Sequence, residues 1–282
     1  MRQTPEQPIP QISLIALISI TLLTAACGET LLAEGGSYCT PSAEQRSEDC
    51  YLNDGEPVVV DDVSDLDPIC STSCNKIREL RISGRNVAGL TNLEALRGIS
   101  VESVDFTGVP DLRTTRGLSL AQGAGIRLGL NPSLREFAIE EPLTKITHVI
   151  IEANSSLVSL DALSEITHET SSQFHLMDIP VRDLDFLDGM KLTSGAYFQI
   201  RNLDNVTEVP ELSGEATFIQ IEENDSLKDV SGLAGIDRIF GSLTVLGNPN
   251  VKNCAADKVA QQITFHDRAR INIRDNGTGS CE

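Results

Sequence analysis

The sequence predicts a β-dominated solenoid of about eight coils whose two ends are closed by disulfides. A degenerate repeat of 21–25 residues runs through the chain from residue 77 onward. Cysteines lie at both ends of that repeat and are absent from its interior. The hydrophobic content is 40% over 282 residues, which is enough for a continuous core.

Each copy of the repeat has two apolar residues in alternation, followed three positions later by an anchor residue. The alternating pair predicts a short strand with one buried face. Successive anchors lie 24, 22, 23, 25, 24, 21 and 24 residues apart, a spacing typical of leucine-rich repeats and related solenoids. The pairs and anchors are Leu80/Ile82/Arg85, Val104/Phe106/Val109, Ile126/Leu128/Asn131, Val149/Ile151/Asn154, Phe174/Leu176/Ile179, Phe198/Ile200/Leu203, Ile219/Ile221/Asn224 and Leu243/Val245/Asn248.

The residues between the strands are expected to fill the interior. Four anchors are asparagines, whose amides can bond to the backbone of adjacent coils. After two of these anchors an apolar residue recurs at every third position, so the returning chain is expected to bury these side chains. They are Leu157, Leu160, Leu163 and Ile166 after Asn154, and Leu227, Val230, Leu233 and Ile236 after Asn224.

Residues 1–26 are predicted to be a signal peptide. The apolar run 12–26 has 15 residues, shorter than the roughly 20 that a spanning helix needs. It ends in Thr24-Ala25-Ala26-Cys27-Gly28, which resembles the lipobox of bacterial lipoproteins. The resemblance implies that Cys27 is lipidated, and Gly28 after it is consistent with sorting to the outer membrane. An ordinary cleavable signal and an uncleaved anchor are the alternatives.

Residues 27–69 are expected to form the lipidated cysteine and an acidic spacer or N-terminal cap. Residues 28–69 hold 11 carboxylates and a single basic residue, Arg46, so about half of the net charge of −19 lies here. The acidic run 61–67 lacks the glycine and the distal glutamate of an EF-hand, which favours a solvated stretch over a calcium loop. The repeat and its C-terminal cap are expected over 70–282.

With Cys27 set aside for lipid, six cysteines remain, and an exported chain is expected to join them in three disulfides. Cys254 and Cys281 are expected to pair because they lie about 180 residues from the others. The N-terminal cysteines allow three connectivities, which the sequence leaves open. A zinc site is disfavoured because no second cysteine pair or nearby histidine has metal-ligand spacing. These four N-terminal residues are Cys39, Cys50, Cys70 and Cys74.

The C-terminal segment predicts a short helix over 255–263 and a last strand at 271–273. Together with the segments 243–250 and 275–281 it resembles the end cap of bacterial receptor L-domain and leucine-rich-repeat-like lipoproteins. The resemblance covers about residues 70–282 and carries no catalytic motif. It implies a right-handed β-solenoid with a role in binding or wall organisation.

The residues between and after the apolar pairs form two outward columns on the predicted sheet. Four polar residues on consecutive coils, Arg127, Glu152, His175 and Arg201, are the candidates for contact with a ligand, and a salt-bridged solvent face is the alternative. One column is Arg81, Asp105, Arg127, Ile150, His175, Gln199, Gln220 and Thr244. The other is Ser83, Thr107, Gly129, Glu152, Met177, Arg201, Glu222 and Leu246.

Composition excludes several classes of function. The 41 acidic against 22 basic side chains disfavour nucleic acid, because phosphate binding needs a basic patch. Eight Phe, three Tyr and no Trp disfavour a stacking platform for bases or sugars. The four histidines lack metal-binding spacing, and neither column brings two carboxylates together, so we expect no metal, no cofactor and no catalytic residues.

The sequence therefore favours a lipid-anchored envelope protein that binds a protein or glycan partner without catalysis. It is expected on the bacterial cell envelope, at the outer membrane or cell surface. A structural envelope protein and a β-helix enzyme acting on polysaccharide are the alternatives.

Overall fold

The computed structural model describes residues 48–166 and 173–281. Strands dominate this part of the chain, and 14 of them form one open, parallel sheet. The strands are β1 (Glu48–Tyr51), β2 (Val58–Val60), β3 (Cys74–Ile77), β4 (Leu80–Ser83), β5 (Ser100–Thr107), β6 (Ser119–Gly129), β7 (Ile146–Glu152), β8 (Gln173–Met177), β9 (Lys191–Leu192), β10 (Tyr197–Arg201), β11 (Ser213–Glu222), β12 (Gly235–Leu246), β13 (Thr264–Phe265) and β14 (Arg270–Arg274). The α-helices are α1 (Asp67–Ser71) and α2 (Asn253–Ala260). Short 3₁₀ turns span Leu52–Gly55, Val63–Leu66, Arg85–Val87, Glu94–Leu96, Asp161–Leu163, Asp185–Leu187 and Ser231–Ala234.

Ten strands lie side by side in one row: β2, β4, β5, β6, β7, β8, β10, β11, β12 and β14. The first apolar residues of the eight predicted pairs are register partners from Leu80 on β4 to Leu243 on β12. The alternation and spacing of the repeat therefore predict the strand register correctly. The row extends by one strand at each end, where Val58 pairs with Leu80 and Ile271 with Leu243.

The apolar pairs point into the core, and the chain that returns between strands covers them. Both side chains of each pair from β4 to β12 are buried. The predicted every-third-residue sets are buried too, from Leu157 to Ile166 and from Leu227 to Ile236. Part of each set lies on a 3₁₀ turn, where residues three apart share a face. The first anchor is an exception, since Arg85 is exposed and its turn buries Val87 instead.

Each strand from β4 to β14 in the row ends at a corner residue, which is the residue directly before the anchor position. All nine corner residues have a left-handed backbone, with φ between +53° and +94°. Left-handed backbone is costly for residues with a Cβ, yet only three corners are glycine. The corners are Gly84, Gly108, Leu130, Ala153, Asp178, Asn202, Glu223, Gly247 and Asp275.

The anchor asparagines form two hydrogen-bonded ladders in the core. Each side-chain oxygen accepts from the backbone N–H of the anchor one strand earlier, as Asn248 does from Asn224 at 3.0 Å. Each side-chain nitrogen donates to a carbonyl of the preceding strand, as Asn248 does to Ile221 at 2.9 Å. The first ladder joins Val109, Asn131 and Asn154, and the second joins Leu203, Asn224, Asn248 and Asn276. The predicted bonding of the four anchor amides to neighbouring backbone is therefore present, and Asn276 is a fifth member that the repeat pattern did not include.

The N-terminal end contains the block for which the sequence left an acidic spacer and an N-terminal cap open. Its boundary at residue 70 falls inside α1, and the described part of the acidic block, 48–69, packs against the sheet. Val60, Leu66 and Ile69 are buried there and cover the first strands of the row. The net charge of this block does not reveal its buried apolar residues, because they alternate with carboxylates that face solvent. Cys50 bonds to Cys74, and Cys70 is also disulfide-bonded.

The C-terminal end agrees closely with the sequence. Helix α2 begins two residues earlier and ends three earlier than predicted, and the predicted strand 271–273 lies within β14. The expected disulfide joins Cys254 to Cys281. Strands β13 and β14 both pair with β12, so the last part of the chain covers the final long strand of the sheet.

Candidate functional site

The four polar candidates all lie on the outer face, the side of the strand row that faces away from the buried pairs. Arg127 and His175 occupy one column, two strands apart, with Ile150 between them. Glu152 and Arg201 occupy the next column, also two strands apart, with Met177 between them. Strands are about 4.8 Å apart, so each pair spans roughly 10 Å. Both columns predicted from the sequence match the observed register.

Both arginines among the four candidates are paired with carboxylates. Nη2 of Arg127 lies 3.2 Å from Oε1 of Glu152, and Nη2 of Arg201 lies 2.8 Å from Oε2 of Glu223. The neighbouring Glu223 carboxylate raises the pKa of Arg201 above its usual value. These side chains are about half exposed, so each pair adds little stability. Glu222, in register with Arg201 on the same face, adds a further carboxylate beside the two pairs.

His175 is the half-buried member of the set. Burial lowers the pKa of its imidazole, and the Glu152 carboxylate opposes that shift, so the ring is neutral at pH 7. Its Nε2 is buried and has no hydrogen-bond partner among the described residues. A buried polar atom in that state costs about 1–3 kcal/mol. The ring of His175 therefore contributes through packing more than through hydrogen bonding.

A third column on the outer face consists of the residues directly before each first apolar residue. Sequence reasoning missed it, although the same repeat alignment identifies these positions. Tyr197 and Phe218 are register partners in this column, and their ring centroids are 5.5 Å apart at 61°. Tyr197 also meets His175 edge-on, with centroids 4.4 Å apart. We call His175, Tyr197 and Phe218 the ring cluster.

The ring cluster is partly open to solvent. Phe218 is 39% exposed, an unusual fraction for a large apolar side chain in this fold. The hydroxyl of Tyr197 donates to Oε1 of Gln220 at 2.6 Å. Burial, with the nearby Glu222 carboxylate, raises the pKa of Tyr197, which keeps the phenol protonated as a donor. Scarce aromatics thus do not prevent a local cluster of rings, which composition alone could not reveal.

His148 extends the third column toward Arg127. Its ring lies over Gly125, where an added Cβ would come within 2.2 Å of the imidazole. Burial, and then the positive charge of Arg127, lower the pKa of His148. The glycine therefore makes room for a second neutral imidazole on the outer face.

The described residues offer other concave sites away from the outer face. A cavity of about 580 Å³ lies among the returning segments and is lined by Asp185, Asp188, Glu208 and Glu211. One of these carboxylates is already used, since Asp188 accepts from the backbone N–H of Glu211 at 3.0 Å. No group of three or more His, Cys, Asp or Glu in the described part of the chain is placed to hold a metal ion.

Two predicted positions, Cys27 and Cys39, lie outside the described residues. Within residues 48–166 and 173–281, no helix is long and apolar enough to cross a membrane. The chain matches no family model, no curated protein and no solved structure. Any inference about its function therefore rests on the geometry of the outer face.

Proposed function

We propose that this chain is a lipid-anchored protein of the bacterial cell envelope that binds a protein or glycan partner through the outer face, without catalysis. The observation that carries the proposal is the concentration of polar and aromatic side chains on five neighbouring strands of a continuous parallel sheet, β6, β7, β8, β10 and β11. A sheet held from behind by a packed core presents such side chains in fixed positions, and this reduces the entropy lost on binding.

We further propose that the strand row is the long face of a right-handed solenoid of the receptor L-domain and leucine-rich-repeat type. About eight repeats of 21–25 residues make up its body, and the disulfide-bonded segments close its ends. The nearly constant register offset between successive strands supports this proposal. So does the rule that crossovers between parallel strands of one sheet are right-handed.

The proposed anchor is a lipid on Cys27. It is tested by labelling expressing cells with a radioactive or clickable fatty acid. The wild-type chain is expected to carry the label and to partition into detergent, and Cys27→Ala is expected to lose both. Equal labelling of the variant would refute the anchor and leave the proposal for the outer face unaffected.

The binding face is tested by reversing its charges in the full-length protein. Arg127→Glu and Arg201→Glu each break an ion pair and are expected to weaken retention by an envelope fraction at least fivefold, with an unchanged melting temperature. The control is Arg97→Glu, which reverses a charge away from the outer face and breaks ion pairs with Glu94 and Glu140. Protein and polysaccharide fractions are presented separately to show which contains the partner.

Two results would overturn the proposal. If retention is unchanged in both arginine variants and also in Phe218→Ala, the outer face does not bind the partner. If an acidic polysaccharide is cleaved, and cleavage stops in Arg127→Ala or His175→Ala, the protein is an enzyme. A deletion strain with a weakened envelope, combined with no retention of any fraction by the wild-type protein, would indicate a structural protein.

A further inference from the structure

We infer that the partner of the outer face is an uncharged glycan chain and that it stacks on the ring cluster. This inference rests on the proposed function and specifies its ligand class. It follows from four features of the outer face: the open ring cluster, the amide of Gln220 beside it, the ion pairs of its arginines and the pairing of its strands on both sides.

The ring cluster supplies an apolar surface of the kind that sugars use. A pyranose has a face of C–H groups whose hydrogens carry partial positive charge, and the face of an aromatic ring carries partial negative charge. Phe218 is 39% exposed and stands beside Tyr197 at a centroid distance of 5.5 Å. The two rings lie on neighbouring strands, so a sugar chain that crosses the strands meets them in succession.

An amide group lies beside the rings, where sugar hydroxyls would lie. Oε1 of Gln220 accepts from the hydroxyl of Tyr197, and the NH₂ group of the same amide can donate to a ligand. Gln199, the register partner of Gln220 on the neighbouring strand, is buried at 8% exposure and supports the face from below. Gln220 therefore offers the uncharged hydrogen-bonding group that a sugar hydroxyl requires.

The charges around the cluster argue against an ionic ligand. Arg127 pairs with Glu152 and Arg201 pairs with Glu223, so neither arginine is left to bind a carboxylate or phosphate of a ligand. An acidic glycan would have to displace a carboxylate of the protein. Glu222, next to the cluster, adds a carboxylate that would repel an anionic ligand, whereas a neutral glycan meets no such repulsion.

The shape of the face argues against a peptide. Common modes of peptide recognition use a free sheet edge for an extended peptide and an apolar groove for a helix. Around the ring cluster the strands are paired on both sides, and the ring cluster does not line the cavities of about 580 and 510 Å³. A sheet face with exposed rings and paired strands fits a linear polymer that lies across it.

The test measures binding of the full-length protein to three soluble oligomers by titration calorimetry. Two are neutral hexamers, of β-1,4-linked N-acetylglucosamine and of β-1,4-linked glucose, and the third is an anionic hexamer of galacturonate. We expect at least one neutral hexamer to bind and the anionic one to bind at least tenfold more weakly. Phe218→Ala is expected to weaken the neutral ligand about tenfold, and Tyr197→Phe about threefold because it loses the bond to Gln220.

Phe240→Ala is the matched control, because Phe240 contacts His266 and Arg238 away from the ring cluster. It is expected to bind like the wild type. Equal weakening by Phe218→Ala and Phe240→Ala would overturn the placement of the ligand on the ring cluster. Binding of the anionic hexamer alone, or of none of the three, would overturn the inference of an uncharged glycan. If a protein fraction is then still retained in a way that depends on Arg127 and Arg201, the proposed function survives with a protein partner.

Discussion

The middle of the strand row is held together differently from its two flanks. On each side of the middle lie asparagine anchors, Asn131 and Asn154 on one side and Asn224, Asn248 and Asn276 on the other, and their amides link each strand to the one before it. In the middle, on the turns after β8 and β10, the anchors are Ile179 and Leu203, and neither carries an amide. There the core contains a ring stack instead, with the centroids of Phe174 and Phe198 5.8 Å apart and nearly parallel.

The two arrangements impose different constraints. A buried amide bonds in fixed directions, so it sets the register of one strand on the next and is costly when a partner is lost. A ring stack contributes area and dispersion but tolerates small shifts. The same two strands that stack rings inside also bring His175 and Tyr197 together outside. The middle of the row is thus aromatic on both faces, and the candidate site lies where the ladder is interrupted.

The largest expected effect comes from replacing an asparagine anchor of a flank with an apolar residue like the anchors of the middle. Asn248→Leu should lower the free energy of unfolding by about 3–5 kcal/mol, because the N–H of Asn224 and two carbonyls lose buried partners. Urea denaturation measures this change. A loss below about 1 kcal/mol would show that apolar anchors suffice everywhere. The reverse substitution, Ile179→Asn, should lower the free energy of unfolding less than Ile200→Asn does. Position 179 is an anchor position, so its new amide can bond to the backbone of the neighbouring strands.

The second prediction concerns the ring stack of the middle. Phe198→Leu should cost about 1–2.5 kcal/mol, since it removes both buried area and the stack with Phe174. Phe106→Leu, at the second buried position of a flanking strand, is the comparison. We expect Phe106→Leu to lower the free energy of unfolding by about 0.5–1.5 kcal/mol less than Phe198→Leu does, because an aromatic pair usually contributes about that much. Equal costs in thermal denaturation would indicate that the stack adds nothing beyond area.

The third prediction addresses His175 and the pH dependence of stability. Burial lowers the pKa of both His148 and His175, so the unfolded chain binds protons first as the pH falls. The contribution of these two histidines to stability is therefore fully present above about pH 6.5. It is lost as the pH falls through that value toward the pKa of the histidines in the folded protein. His175→Phe should reduce this loss and raise stability at pH 7.5 by about 0.5–1 kcal/mol, because Nε2 has no partner.

Melting curves at pH 7.5 and 5.5 test that prediction. His148→Phe is the paired variant, and it should reduce the pH dependence without the same gain at pH 7.5. If His175→Phe instead destabilises the protein at both pH values, the imidazole has a structural role that its contacts do not reveal.

The smallest expected effect is at the corner residues. Leu130 is 59% exposed and left-handed, a conformation that costs a residue with a Cβ about 1–2 kcal/mol. Leu130→Gly removes that cost but adds about 0.5–1 kcal/mol of chain entropy, for a net gain near 0.5 kcal/mol. In the middle of the row, Asn202→Gly should give no gain, since it loses the 2.6 Å bond to Asp178. The midpoint of urea denaturation measures both variants. If Leu130→Gly and Asn202→Gly both stabilise the protein, the corners of flank and middle do not differ in this way.

The sequence predicted most of the strand register for two reasons. Apolar residues alternate within each strand, and successive repeats have a nearly constant length, so each strand can align with its neighbour in only one way. It also predicted which side chains share a column, and thus the neighbours of Arg127 and Glu152. It did not predict β2, whose valines lie in an acidic block, because net charge averages over residues that face opposite ways. The pairing of Cys50 with Cys74 depends on how the chain enters the fold, which local patterns do not encode.

Most of the candidate site was also missed. Tyr197 and Phe218 are 21 residues apart in sequence and adjacent only through the register of β10 on β11. Reading the position before each first apolar residue would have placed them in one column. Their edge-on contact, and the exposure of Phe218, follow from side-chain packing that no periodicity contains.

The corner residues have a consequence for how such a chain can change over time. Eight of the nine corner residues, from Gly108 to Asp275, have φ between +53° and +69°, whether the residue there is glycine, leucine or aspartate. A segment copied from one corner to the next would begin and end with matching geometry, and its strand would stack on either neighbour in register. Whole repeats can therefore be gained or lost in evolution without disturbing the rest, which lengthens or shortens the outer face in steps of one strand.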